Sequence, residues 1–438
     1  MKSVSAMAEN GVTNLEQPVS HLAASWVLMI PLMYFSGGFW LRNFRDNNAL
    51  GGFSSLANAP QTIDNAVTPI FVLAIVLALI FPKIKSIVHD CGNHMIFAAL
   101  AALAVLSCLW SQSPFSSLEY SLWLAVNTLF AFYLYRRFSP ERLIRLLLML
   151  GWICLFLSIV LALFFPQYGV SKEFSGVKGW KGIYLQKNPC AEMTIIFLSG
   201  AFFAPAVPLL SKVSRVIYIG LSVFLIMMTQ SVTGKVGLAC LLGYVIAMWM
   251  SKRLKSKDRI VVLPLGVAII LVLIIACNPY LRGITYLLGK DPTISGRTGI
   301  WKAAMASVMK HPFIGYGYHA FWTGLQGESA NVLLANHWAV GGAHNGCLEL
   351  WLQLGAAGLG LFLYSVVRAF QNAVFCFRDE KSSHLAWYAC IVFLITAMSI
   401  DEAMGIAAAN NLPWIMFIVA CVGLSEEARR IRSEAHHG

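Results

Sequence analysis

The chain has 438 residues, 58% of them hydrophobic and only 12% charged, with a mean hydropathy of +0.69 and a formal charge of +12. Soluble globular proteins carry about 25% charged residues, and half that share cannot solvate a surface of this size, so a soluble enzyme is excluded. Plentiful Trp, Tyr and Phe without a short repeat exclude disorder, collagen and coiled coils, and continuous apolar runs exclude the alternating strands of an outer-membrane barrel.

An all-α polytopic membrane protein is the expected fold class. Residues 1–20 are polar and lack a basic start followed by an apolar stretch, so no cleaved signal is expected. A membrane crossing takes about 20 apolar residues. On that measure about twelve spans are predicted, near 21–40, 66–82, 94–111, 119–135, 144–165, 189–210, 216–232, 235–250, 260–278, 346–369, 385–400 and 406–423. An even number puts both termini on one side. Most basic residues then share that side, among them Lys83, Lys85, Arg136, Arg137, Arg142, Arg145, Lys252, Arg253, Lys255, Arg429 and Arg430. The positive-inside rule makes it cytoplasmic. The resulting organisation is a cytoplasmic tail (1–20), spans 1–9 (21–278), a large periplasmic loop (279–345), spans 10–12 (346–423) and a second cytoplasmic tail (424–438). The charge excess is thus a topology signal, and no nucleic-acid partner is expected. Of the ten cysteines most lie inside apolar runs and read as small hydrophobes, and no Cys/His spacing fits zinc. No metal or cofactor is expected.

Taken in chain order, the outward-facing segments hold the polar residues of interest. Trp180–Asn188 brings Lys181 and Lys187 to the mouth of a span. Ser231-Val232-Thr233-Gly234-Lys235 forms a turn between two spans and fails the GxxxxGK[ST] phosphate-loop spacing. In the long loop, Ser295-Gly296-Arg297 opens a segment whose apolar residues Ile300, Trp301, Ala304, Met305 and Val308 predict an amphipathic helix on the membrane surface. Ser295 is placed to cap it, leaving Arg297 in a first turn where a cation opposes the helix dipole, an arrangement that favours an adjacent anion. Each cation alone reads equally as a solvated or lipid-facing charge. Together Lys181, Lys187, Lys235 and Arg297 suggest a polyanion held outside the membrane, and a diphosphate fits.

Further along, His311-Pro312-Phe313-Ile314-Gly315-Tyr316-Gly317-Tyr318 predicts a tight turn, followed by Phe321 and Trp322 as an interfacial belt or a sugar-stacking platform. Gly341-Gly342-Ala343-His344-Asn345-Gly346 puts a histidine at the mouth of a span, as a general base or as a cap. His319 and His337 are weaker candidates. Glu192, Glu349 and the pair Asp401-Glu402 are the acidic candidates, either functional or paired with a nearby cation.

SGRTGIW (295–301), HPFIGYGYHAFW (311–322) and HNGCLELWLQLGAAGLG (344–360), in this order, resemble the O-antigen ligase/polymerase superfamily over roughly 231–369. The resemblance implies a GT-C-like membrane glycosyltransferase, independent of metals and nucleotides. Such an enzyme moves a glycan from an undecaprenyl-diphosphate carrier to an acceptor sugar hydroxyl at the periplasmic face of the inner membrane. It implies His344 as the base on the acceptor hydroxyl and Arg297 as the ligand of the diphosphate. Lys235 stands where the family usually has Arg. Lys187, Lys181, Asn345 and Trp322 complete the expected binding residues. Lys235 and the WKGIYLQKN wording are similar to exopolysaccharide polymerases of the succinoglycan type, so polymerisation is expected ahead of ligation onto lipid A core. A lipid-linked-sugar flippase is the alternative from another class. It would need ionisable residues at mid-span, and here these concentrate at one face.

Overall fold

The computed structural model describes residues 18–38, 63–172, 178–204, 211–251, 253, 297–336, 341–379, 383–407 and 411–437. The predicted span near 260–278, the first part of the long loop with Ser295, and His337 lie outside the described residues.

The helices are α1 (Pro18–Phe35), α2 (Ile63–Ile80), α3 (Ile84–Asn93), α4 (Met95–Leu106), α5 (Pro114–Arg137), α6 (Pro140–Phe164), α7 (Lys187–Phe203), α8 (Lys212–Met228) and α9 (Val232–Ser251). They continue with α10 (Arg297–Val308), α11 (Ser329–Asn336), α12 (Gly346–Asp379), α13 (Ser383–Met398) and α14 (Leu412–His437). A small antiparallel ribbon of β1 (Val170–Lys172) and β2 (Lys178–Trp180) pairs Val170 with Trp180.

The helical class holds, but the span count does not. Among the described residues four helices are long and apolar enough to cross a membrane: Val67–Asn93, Pro140–Phe164, Val232–Ser251 and Gly346–Phe377. This corrects the expectation of about twelve spans, and with it the GT-C-like bundle built on that number. An apolar run counts residues, whereas a helix ends where its backbone turns. α7 and α8 have 17 residues each, roughly 26 Å at 1.5 Å per residue against a hydrocarbon core of about 30 Å. α7 stops because Ala204, which precedes Pro205, is extended. α8 stops at the turn of Thr229 and Gln230, the latter at φ +55°. α13 has 16 residues. α5 is long enough but buries Ser117, Ser121, Asn127 and Thr128 within its length.

The core is built where α13 and α14 pack on each other and on α5, α7 and α12. Its largest buried side chains include Trp387, Trp414, Phe393 and Tyr318. Polar tips in it find partners across helices. Trp414 Nε1 donates to Thr128 Oγ1 at 3.2 Å, Trp387 Nε1 to Ser199 Oγ at 3.1 Å, and the Tyr244 hydroxyl to the Ala386 carbonyl at 3.0 Å. Such bonds fix which helix faces meet, because an unpaired buried donor would cost about 1–3 kcal/mol.

α12 is broken at Gly355, whose φ of +66° a side chain rarely tolerates. The turn after α10 wedges into the break. Ala356 and Ala357 N–H donate to the carbonyls of Pro312 and Phe313, and Tyr316 and Gly317 N–H donate to those of Leu352 and Gln353. The helix thereby loses its own ladder without leaving backbone groups unsatisfied. A Cβ at Gly315 would lie 2.6 Å from the Leu352 carbonyl oxygen, so this approach needs glycine. The predicted tight turn is thus an interlock that fixes the long loop to α12.

Candidate active site

Four segments converge at the N-terminal end of α12. Asn345 caps that helix, its Oδ1 accepting the Leu348 N–H at 2.9 Å. Its Nδ2 donates to the Ile400 carbonyl at 3.0 Å, and Gly346 N–H donates to the Ser399 carbonyl at 2.7 Å. These bonds hold the turn that follows α13 against the start of α12 and bring Asp401 and Glu402 under His344.

Glu402 is the node. It accepts from His344 Nδ1 at 3.0 Å, from Arg297 Nη2 at 2.6 Å and from Asn188 Nδ2 at 2.5 Å. Arg297, buried at the start of α10, also donates to the Asp401 carboxylate and, at 2.8 Å, to the Asp401 carbonyl. Asp401 accepts from Thr233 Oγ1 at 2.6 Å, and Ser231 Oγ donates to Asn188 Oδ1 at 2.8 Å. Burial pushes the Glu402 carboxyl up, but the hydrogen bond and charge of His344, the Arg297 guanidinium and the Asn188 amide outweigh it and hold the group below the ordinary carboxylate range. Glu402 is therefore ionised near neutral pH and can only accept. The proton on the imidazole then sits on Nδ1, and the lone pair on Nε2.

His344 is the open member of this chain. Its side chain is 29% exposed, against 13% for Glu402 and 10% for Arg297. Its φ of +47° lies in the left-handed region, after the Gly341-Gly342 pair. The strain is held by a second network beneath it. Buried Glu349 accepts from Ala343 N–H at 2.7 Å, from Trp322 Nε1 at 2.8 Å and from Gln353 Nε2 at 3.0 Å, while Trp301 Nε1 donates to the Ala343 carbonyl at 2.9 Å.

The structure brings together some of the sequence-predicted residues and not others. Arg297 and His344 share Glu402 as partner. Asn345 uses both amide atoms to cap α12 and hold the Ile400 turn, and Trp322 directs its indole N–H to Glu349. Lys235 lies two residues beyond Thr233, half-buried, with Nζ 3.5 Å from Gln230 Oε1. Lys187 begins α7 immediately before Asn188, and Lys181 is buried, which pushes its ammonium pKa down. Glu402, Asp401, Asn188 and Thr233 complete the network. The acidic pair between two apolar runs was the signal for the first two; Asn188 and Thr233 lie in the segments 180–188 and 231–235, which were singled out for their lysines. His319 is stacked on Tyr120 at 4.5 Å, and burial pushes it down to about 4. In α10 the buried face comprises Arg297, Ile300, Ala304, Ser307 and Val308, so that Met305, expected on the apolar stripe, points outward. No group of three or more His, Cys, Asp or Glu side chains among the described residues is arranged to hold a metal ion.

A helical, membrane-embedded protein with one partly open histidine on a buried carboxylate–guanidinium pair is the class that fold and site define. The O-antigen ligase family profile matches residues 217–363, from within α8 through α9, α10 and α11 to about the middle of α12. Exopolysaccharide production protein ExoQ of Rhizobium meliloti (strain 1021) is 22% identical over 352 residues, covering 74% of this chain and 76% of ExoQ. Over the matched residues the chain is thus similar to the O-antigen ligase family, and along most of its length to ExoQ.

Proposed function

We propose that this protein is a polysaccharide polymerase of the exopolysaccharide type, working on undecaprenyl-diphosphate-linked glycans at the periplasmic face of the bacterial inner membrane, with both termini cytoplasmic. The observation that carries this reading is the chain Arg297–Glu402–His344, ending on a partly exposed imidazole whose Nε2 is the basic nitrogen.

In this reading Nε2 of His344 takes the proton of the acceptor hydroxyl. The oxygen forms its bond to the anomeric carbon as the bond from that carbon to the diphosphate breaks, and the electron pair leaves on the diphosphate. Glu402 holds the imidazole by Nδ1–H and offsets the charge of the imidazolium, a contribution that lowers the barrier without moving the proton further. Arg297 keeps Glu402 ionised and placed. Lys187, beside Asn188, and Lys235, two residues beyond Thr233 of the network, supply with Lys181 the positive charge that stabilises the leaving diphosphate. A phosphate oxygen reaching Arg297 competes with Asp401 for the same guanidinium. Asn345 and Trp322 act on the sugar through the loop they fix. No metal or organic cofactor takes part in this scheme.

The test is reconstitution of the purified protein with an undecaprenyl-diphosphate oligosaccharide, with and without lipid A core, and sizing of the products. A ladder in the absence of core supports the polymerase. Single transfer onto core replaces it by the O-antigen ligase reaction that the family description names. Donor binding without reaction sinks both in favour of a lipid-linked-glycan flippase.

A further inference from the structure

A second cleft lies away from the His344 network, on the interlock between the long loop and α12. It has a volume of about 540 Å³ and is lined by Trp110, Gln112, His311, Ile314, Tyr316 and Glu328 among others. That volume falls within the roughly 300–1,000 Å³ of small-molecule sites. We infer that this cleft is a saccharide-binding site that holds a sugar unit of the glycan chain at a distance from the reacting end. The inference rests on the proposed glycan chemistry for the identity of the sugar, and on the cleft itself for the binding.

The aromatic wall is held in place. Trp110 Nε1 donates to the Ile314 carbonyl at 3.1 Å and the Tyr316 hydroxyl to the Ser307 carbonyl at 2.7 Å, while the His311 ring meets Tyr316 edge-on at 4.7 Å. Trp110 and the exposed His311, backed by buried Tyr316, offer fixed ring surfaces to the C–H side of a pyranose at little entropic cost. Polar groups stand beside them with capacity to spare. Lys310, Ser307 and Asn331 all donate to the same oxygen of Glu328, at 2.6, 3.2 and 3.1 Å, so Oε2 accepts from none of the described residues. The Gln112 carbonyl accepts the Glu328 N–H at 3.5 Å, and its Nε2 donates to none of the described residues. A carboxylate acceptor, an amide donor and an imidazole around aromatic faces match sugar hydroxyls, which both donate and accept.

The same groups select against other ligands. Burial pushes the Glu328 carboxyl up, but Lys310, Asn331 and Ser307 outweigh it and keep the group ionised. An ionised carboxylate repels a phosphate, so the cleft does not suit a lipid headgroup or the diphosphate. An acyl tail would leave these polar groups unsatisfied. The cleft is also rigidly tied to the catalytic helix, since Trp351 Nε1 of α12 donates to the Pro312 carbonyl at 2.9 Å. A chain unit seated there is held at a fixed offset from His344, seven residues earlier.

The experiment uses full-length purified protein and, as probe, the repeat oligosaccharide freed from its lipid carrier by mild acid, with binding read by saturation-transfer NMR and titration. Wild type and His344→Ala are expected to bind alike, whereas Gln112→Ala and Glu328→Gln each weaken binding about tenfold, the worth of one good hydrogen bond to a polar ligand. Gln112 is exposed, so its variant keeps the fold if the Trp110 anchor matters to stability. Unchanged binding in both cleft variants, loss of binding in His344→Ala alone, or no binding by wild type would each overturn the inference. Transfer activity of the same preparations separates the two readings. Inactive wild type that binds sugar through Gln112 removes the transferase and leaves the cleft, and active wild type with indifferent cleft variants does the reverse.

Discussion

Among the described residues, two histidine–glutamate pairs have an arginine on the same carboxylate. At the His344 end, Glu402 accepts from His344 Nδ1 at 3.0 Å and from Arg297 at 2.6 Å. At the other end of α13 and α14, Glu426 pairs with His94 Nε2 at 2.8 Å and accepts from Arg429 at 2.8 Å. α13 separates the two by 16 residues, roughly 24 Å. The chemistry of the groups is the same and the burial is reversed. His94 is 8% exposed, with its ring against Phe132, and its carboxylate is 39% exposed. His344 is the exposed partner and its carboxylate is enclosed. A buried imidazole on an open carboxylate is an anchor between helices; an open imidazole on a buried carboxylate is an oriented base. Which partner faces outward decides the role.

The comparison is broken most directly by exchanging the histidines. His344→Ala should reduce glycan transfer by about 10²–10⁴-fold, the usual worth of a general base, with the thermal transition unchanged. His94→Ala should leave transfer near wild type and lower the transition by several degrees, as loss of a buried polar anchor does. Transfer lost in both, or in neither, would end the distinction, and kinetics alongside a melting curve decide it.

Next in size is the carboxylate. Glu402→Gln should lower kcat about 10²-fold by removing the charge that offsets the imidazolium, with a smaller change in KM. It also has a signature in stability. The Glu402 carboxyl sits below its ordinary value in the folded protein, so it contributes stability above that value and loses it as pH falls through the folded one. Acid unfolding below about pH 4 should be less steep in Glu402→Gln than in wild type.

Arg297→Lys sharpens the same point, because a point charge cannot hold Asp401 and Glu402 in a fork. A loss of about tenfold or more in kcat/KM for transfer is expected, and an unchanged value would remove Arg297 from the machinery. A smaller effect belongs to Glu349, which touches Ala343 and Trp322 but not the reacting atoms. Glu349→Gln turns an acceptor into a donor against three donors and should cost less than tenfold in kcat together with some stability.

The smallest effect is on a histidine in neither pair. His319 is held neutral by burial, down to about 4, so the unfolded chain binds more protons than the folded one from about pH 6.5 to pH 4. Stability should fall across that window as pH drops. His319→Asn, which tolerates the φ of +54° found there, should flatten the fall without changing transfer at neutral pH.

Composition determined that the protein is membrane-embedded and continuous apolar runs that it is helical, because only helices and closed barrels satisfy the backbone in lipid and a barrel would alternate. Local spacing also placed the tight turn at 311–318 and the histidine at a helix mouth, since glycine, proline and helix caps act over a few residues. How many apolar runs become helices long enough to cross was not legible, because a run of apolar letters does not show where Ala204 or Gln230 ends the helix. The partners of His344 and Arg297 were not legible either. Asp401 and Glu402 lie more than fifty residues from His344 and a hundred from Arg297 in the chain, and Asn188 and Thr233 lie more than sixty residues before Arg297. Only the packing of α12, α13 and the ends of α7 and α9 brings them within hydrogen-bond reach. Tertiary structure also settled which of two like His–Glu–Arg sets is open, for burial is a property of the assembled surfaces and is not written at any single position.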